Sequence, residues 1–349
     1  MQMKRAVGAS LLAVAFAMAL PLVLSGAPAE GSAEAPELTP PAVAAAQPSP
    51  EPEIPPPEPV LDAATPLRLH TEQGELETTM AAYLPFALAG EMPASFEPEA
   101  LRAQAVALRS YALYYRAAPK AQHPDADVCT SSACCAAWAD EPALRERWGA
   151  DYDAFWEKIC AAVAATDGQY LVWEDAPVLA VFHASSYRRT EDAADLGMTQ
   201  PYLASVESPE TAESVRNLNT TVEVSAGDFR AAVLAAVPDA DLSGPDSGWV
   251  GALTLNAAGR VSQVVIGGKA VSGLALRQMF SLRSTDFTLA WNDGVFVFRV
   301  SGYGHGLGLS QQGANLLARE GCGYADILAH YYPGAELVMA VLEWPDLGS

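Results

Sequence analysis

Four side chains able to hold a soft or borderline metal ion crowd into a thirteen-residue stretch: His123, Cys129, Cys134 and Cys135. Structural zinc is held by a tetrahedron of thiolate and imidazole ligands. A set this dense therefore predicts a structural zinc site in the loop at 123–138. The same residues could instead form a disulfide from Cys129 to Cys134 or Cys135, or stand as free thiols. Adjacent ligands at 134 and 135 are awkward on one metal, which leaves one of them a candidate spare. The chain has five cysteines, with Cys160 and Cys322 elsewhere. An odd number cannot pair completely, and a disulfide framework spreads its cysteines more widely. A zinc hydrolase built on the cluster is disfavoured, because no HExxH pair or similar spacing accompanies it.

A second unusual stretch is GYGHGLGLSQQGA at 302–314. Glycines 302, 304, 306 and 308 alternate with Tyr303, His305 and Leu307. Glycine at every second position lets another backbone or a ligand approach closely. The segment lacks the Lys-Ser/Thr ending of a phosphate-cradling loop. Taken alone, it reads as a tight bend around a buried histidine as readily as a binding loop. Of the carboxylates upstream, Glu91, Glu97 and Glu99 carry no signal by themselves beyond that of ordinary surface groups.

The elements that must position these residues follow from patterning. A helix is predicted over 97–117, with Ser95 as its cap and Pro98 in the first turn, where no N–H is missed. Leu101, Ala105, Leu108, Ala112 and Tyr115 recur at helical spacing on one face. A second helix is predicted over 143–165, ended by Asp167-Gly168. Strands at 169–173 and 177–184 are joined by a tight Glu174-Asp175 turn. Residues 213–287 read as a strand and helix insert, with strands at 220–225 and 260–268 and a helix at 226–237. A strand at 294–301, the glycine-rich turn and a helix at 310–319 follow. Strands and helices interleave without a regular βαβ period, so the predicted class is α+β.

Composition bounds the setting. Forty-two acidic against twenty basic residues give a net charge of -22. Binding to nucleic acid or anionic lipid through general electrostatics is therefore excluded. A neutral polysaccharide, gripped by aromatic faces and hydrogen bonds, is not, and twelve Tyr and seven Trp are available. Lys4 and Arg5 precede an apolar run over 6–24, roughly 19 residues, near the length of a membrane-spanning helix. Residues 1–25 are thus expected to be a single-pass signal-anchor with its N-terminus in the cytoplasm. A cleaved signal peptide is the alternative, and both export the chain. Residues 26–65, rich in Pro, Ala and Glu, are expected to be an extended tether. The folded part is expected to start near Val60 or Leu67, with the domain drawn over 66–345.

Several segments, in order along the chain, carry a family resemblance: GEMPASFEPEALRAQAVALRSYAL, HPDADVCTSSACCAAW, VLAVFHASSYRRTEDA, GYGHGLGLSQQGANLLAREG and then YADILAHYYPGAEL. Together they resemble the family of stage II sporulation protein D and the related amidase enhancers. The resemblance implies mixed sheet and helices around a glycan-binding cleft. It implies a lytic transglycosylase of peptidoglycan, acting on strands already stripped of stem peptides. Glu91, in GEMP, matches the catalytic acid, with Glu99 as its rival. A transglycosylase needs only one such carboxyl group, because the nucleophile is the sugar's own C6 hydroxyl, whereas ordinary glycoside hydrolases need two. To be protonated near neutral pH, Glu91 needs a pKa above the usual value, as burial beside Met92 and Pro93 would provide.

The resemblance further implies substrate contacts from Ser185, Ser186, Thr190, Glu191, Tyr303, His305 and Gln311. It implies a structural zinc on His123, Cys129, Cys134 and Cys135, with Cys134 where the family often has His. Other departures are Ala136, Tyr187 and Arg188, which stand where the family often has Gly in the last two cases, and Tyr303, which stands where it often has Trp. The implied partner is the amidase stage II sporulation protein P. The implied setting is the septal membrane of a sporulating mother cell. A non-catalytic, amidase-enhancing glycan-binding module is the main alternative, and a purely structural wall protein a further one.

Overall fold

The computed structural model describes residues 61–340. The expected signal-anchor lies outside the described residues. Among the described residues, no helix is long and apolar enough to cross a membrane. The class is α+β, with several small sheets among helices.

The core is organised around the helix Pro98–Ala117. Its first turn holds Pro98, as expected, but Ser95 is not its cap. Glu97 takes that position, without a side-chain bond. The sequence suggested one buried face, yet every residue from 103 to 113 is buried. Its alanines let neighbours approach on all sides. Packed around it are the helices Met80–Glu91, Tyr152–Ala164, Gln311–Arg319 and Tyr324–Tyr331 and the strand Gln169–Trp173. The helix Met80–Glu91 was not expected from sequence patterning. It is apolar on most sides, starts at a Thr79 cap and carries Pro85 inside it, at the cost of one backbone bond. The single helix expected over 143–165 is two, Glu141–Trp148 and Tyr152–Ala164. They are separated by a 3-10 turn at Gly149, whose φ is +53°.

The described fold begins at Leu61, ahead of the domain boundary drawn at residue 66. Leu61–Ala64 is a short helix, and its Asp62 is buried against the central helix. Arg109 donates to both Asp62 oxygens, at 2.7 and 2.6 Å, and to the Gln169 carbonyl at 2.7 Å. Residues 61–65 therefore belong to the folded part rather than to the tether.

A second hydrophobic cluster, centred on Phe229, Val264, Ile266, Phe296 and Phe298, lies in the later part of the chain. One antiparallel sheet orders Phe287–Asn292, Val295–Ser301 and Asn219–Ser225. Another orders Lys269–Ser272, Val261–Ile266 and Val250–Leu255. The strand placed after the insert by sequence is the middle strand of the first of these sheets. The second core therefore extends to Ser301, beyond the boundary at 287. Two short strands then join the glycine-rich segment to the first core. Leu309–Ser310 runs parallel to Phe182–His183.

Candidate functional site

Glu91 is the last residue of the helix Met80–Glu91. Its position is fixed by two later parts of the chain. Its Oε1 accepts a short hydrogen bond from the Ala137 N–H, and its Oε2 accepts one from Gln311 Nε2 at 3.3 Å. Gly90 permits the first contact. A Cβ there would lie 2.7 Å from the Ala137 carbonyl oxygen, so the 137 backbone runs directly over the glycine. Gln311 opens the helix Gln311–Arg319, whose cap Ser310 accepts the Gly313 N–H.

The electrostatics of Glu91 are a contest. Both donors favour the carboxylate and pull the pKa down, but burial opposes charge more strongly and raises it above 4.5. The negative end of its own helix dipole works in the same direction as burial. Met92 is buried beside it, as expected, while Pro93 is exposed. The result is a half-buried carboxyl group that holds its proton to higher pH than an ordinary glutamate.

Glu99 has a different job. It accepts from Arg102 at 2.6 Å and caps the helix Tyr324–Tyr331 by accepting the Tyr324 N–H at 2.8 Å. Both bonds suit a structural carboxylate.

The glycine-rich segment packs its backbone against residues 181–185. Glycines 302, 304, 306 and 308 all have positive φ. A Cβ on Gly308 would sit 2.1 Å from the Val181 carbonyl oxygen, and one on Gly306 would sit 2.6 Å from the Arg260 guanidinium carbon. The segment is thus pinned between the first core and an arginine of the second. Tyr303 exchanges backbone hydrogen bonds with Ser185, and the residue is 48% exposed. His305 Nδ1 accepts the Leu307 N–H at 3.0 Å, which fixes the neutral tautomer with the proton on Nε2. Burial, then Arg277 and Arg260, lower its pKa to about 4. Among the described residues no hydrogen bond joins His305 to Glu91; that contact belongs to Gln311.

Ser185, Ser186, Thr190 and Glu191 were expected to face a ligand, but all four are buried. Ser186 Oγ bonds His183 Nε2 at 2.6 Å and accepts from Arg260 at 3.1 Å. Thr190 Oγ1 accepts the Val206 N–H, and Glu191 accepts from Asn256 at 2.6 Å. Ser186, Thr190 and Glu191 spend their side chains on the protein itself, and Ser185 is tied through its backbone to Tyr303. The four form scaffold under the loop rather than an open wall. His183, Arg260, Asn256 and the Ala137 amide were not foreseen. A backbone N–H has no side-chain signature, and Arg260 looks in sequence like any lone strand arginine.

The metal candidates converge. The ligand atoms of His123, Cys129, Cys134 and Cys135 all lie within 4.8 Å of one another. Zinc–sulfur bonds of about 2.3 Å place tetrahedral sulfurs roughly 3.8 Å apart, so a small contraction closes the site. The strand Val128–Cys129 pairs with Pro66–Thr71 and carries one ligand. Cys134 and Cys135 share a turn in which both N–H groups bond the Ser131 carbonyl, which brings the adjacent pair to one centre. His123 Nδ1 is 3.0 Å from the Ala126 carbonyl, so it carries the proton and leaves Nε2 bare, 3.3 Å from Cys135 Sγ. Burial first, and then Cys135, push the Cys129 thiol up to about 12, so a metal binding there would displace a proton. The residues present fit a tetrahedral zinc. The same loop supplies the Ala137 amide to Glu91.

Comparison with known proteins gives three findings. A family model described as stage II sporulation protein matches residues 72–173. The chain is 35% identical over 253 residues to stage II sporulation protein D of Bacillus amyloliquefaciens, covering 72% of this chain and 71% of that protein. It is 34% identical over 253 residues to stage II sporulation protein D of Bacillus subtilis (strain 168), with the same coverage. A shorter stretch of 55 residues is 42% identical to the amidase enhancer of Bacillus subtilis (strain 168), covering 16% of this chain and 8% of that protein.

Proposed function

The chain belongs to the stage II sporulation protein D family, and we propose that it is a lytic transglycosylase of peptidoglycan with Glu91 as its single general acid and base. One observation carries this reading. Glu91 is held by two donors, from the metal-candidate loop and from the glycine-rich motif, while burial raises its pKa above the ordinary glutamate value.

The proposed chemistry starts from the protonated form, which burial favours. Protonated Glu91 gives its proton to the glycosidic oxygen as the C1–O bond breaks and oxocarbenium character develops at C1. The carboxylate left behind takes the proton of the muramyl C6 hydroxyl. That oxygen bonds to C1 and closes a 1,6-anhydro ring. No water is consumed, and Glu91 ends protonated as it began. Ala137 and Gln311 stabilise the carboxylate at the middle of the cycle, when it is charged. Tyr303, exposed on the adjacent loop, offers a face for a sugar ring.

Zinc on His123, Cys129, Cys134 and Cys135 has a structural part in this reading: it orders the loop that aims the Ala137 amide. The proposed substrate is the peptide-stripped glycan strand, and the proposed partner is the stripping amidase, stage II sporulation protein P. The proposed setting is sporulation engulfment, with residues 1–25 as membrane anchor and 26–60 as tether. The stretch similar to the amidase enhancer supports one competing reading, a glycan-binding module that stimulates the amidase without cutting. Incubating the full chain with peptide-free strands separates the two, since only the enzyme yields 1,6-anhydro ends.

A further inference from the structure

The second core contributes arginines to the glycine-rich loop, and they are not equivalent. Arg260 is buried and sits among Glu191, Asp286 and Glu210, which balance its charge. Arg277 and Arg283 have no carboxylate partner among the described residues. Arg277 feels Arg260 as repulsion, lies near Tyr303 and spends only Nε, on the Leu282 carbonyl at 3.3 Å. Arg283 donates Nη1 to the Asn217 carbonyl at 2.8 Å, and its guanidinium lies 4.3 Å from the centre of the Tyr303 ring. Its own carbonyl accepts the Gly304 N–H, which ties its backbone to the loop. Arg283 lies over the Tyr303 ring, and Tyr303 as a residue remains 48% exposed.

Two guanidinium groups without a carboxylate partner among the described residues, one of them over an exposed tyrosine ring, are out of place in a chain with a net charge of -22. Guanidinium forks match carboxylates, and a ring face matches a pyranose. In an intact strand the lactyl carboxyl of each muramic acid is an amide, the attachment point of the stem peptide, and is neutral. Removing the peptide turns it into a carboxylate on an otherwise uncharged sugar. We propose that Arg277 and Arg283 form a specificity collar around Tyr303 that recognises the free lactyl carboxylate of a muramyl residue stacked on that ring. This assignment rests on the transglycosylase reading, and it gives the insert a purpose: it supplies the groups that tell stripped glycan from decorated glycan.

The test measures binding without turnover. The full chain carrying Glu91→Gln is titrated with two probes. One is a peptide-free muramyl–glucosaminyl oligosaccharide with free lactyl carboxylates. The other is the same oligosaccharide with those groups converted to methylamides. The acid form is expected to bind about tenfold more tightly, with the gap narrowing as salt is added. Adding Arg277→Gln and Arg283→Gln together is expected to erase the gap while leaving methylamide affinity within about twofold, which also reports an intact fold. Arg283→Gln alone, at a half-exposed position, is expected to narrow it. Equal binding of the two probes by the Glu91→Gln parent, or a gap that survives both arginine substitutions, would overturn the collar and leave the glycan reading standing. Failure of both probes to bind would overturn both.

Discussion

Gln311 Nε2 lies 3.3 Å from Glu91 Oε2, across 220 residues of sequence. The glycine-rich motif and the acidic GEMP turn are therefore one site. The contact has a measurable sign. It favours the charged form of Glu91, against the burial that raises its pKa. Removing it with Gln311→Ala should raise that pKa further. An acid catalyst loses activity as pH climbs through its pKa, so the high-pH limb of kcat/KM on peptide-free glycan should move to higher pH. A limb that stays put or moves down would show that another group controls it.

The cysteine loop should matter to Glu91 although it does no chemistry in this account. Ala137 stands two residues after Cys135 and donates to Glu91. One zinc per chain is expected by elemental mass spectrometry, and Cys135→Ser should lose most of it. Stripping the metal should lower the melting temperature and depress turnover together, because the loop that carries the amide loses its tie. Turnover unchanged in metal-free, folded protein would separate the two sites.

Asp62 and Arg109 predict a stability effect far from the chemistry. Both side chains are buried, and Arg109 makes a two-pronged contact with the carboxylate. Removing Asp62 leaves a buried, uncompensated guanidinium, a situation that typically costs about 3–5 kcal/mol. Asp62→Ala should lower the unfolding free energy by about that amount in chemical denaturation. Asp62→Glu should restore part of it.

How much of this was legible in the sequence depended on the kind of signal. Pro98 and the alanine-rich run after it marked the central helix, and the crowding of His123 with three cysteines marked the metal candidates, since those residue types have few other reasons to cluster. The alternate glycines marked the close approach at 181–185. The helix ending in Glu91 was not legible, because it is apolar on most sides and contains Pro85, so neither periodicity nor propensity announces it. The side chains of Ser186, Thr190 and Glu191 looked like a polar wall because polarity is visible in sequence and burial is not. Ser186 is closed by His183 three residues before it, while Val206 and Asn256, the partners of Thr190 and Glu191, come from later in the chain. Arg260 and Arg283 reach the loop only through the folding of the second core, a tertiary fact with no local trace.

The central claim is that Glu91 alone performs the acid and base steps. Its most direct test is mass spectrometry of peptide-free glycan after incubation with the full chain, with Glu91→Gln and Glu99→Gln in parallel. The expected result is 1,6-anhydro-muramyl ends from the wild type and from Glu99→Gln, and a loss of at least about a thousandfold in rate for Glu91→Gln. Anhydro ends formed undiminished by Glu91→Gln, or none formed by a wild-type protein that binds glycan and carries its metal, would contradict it.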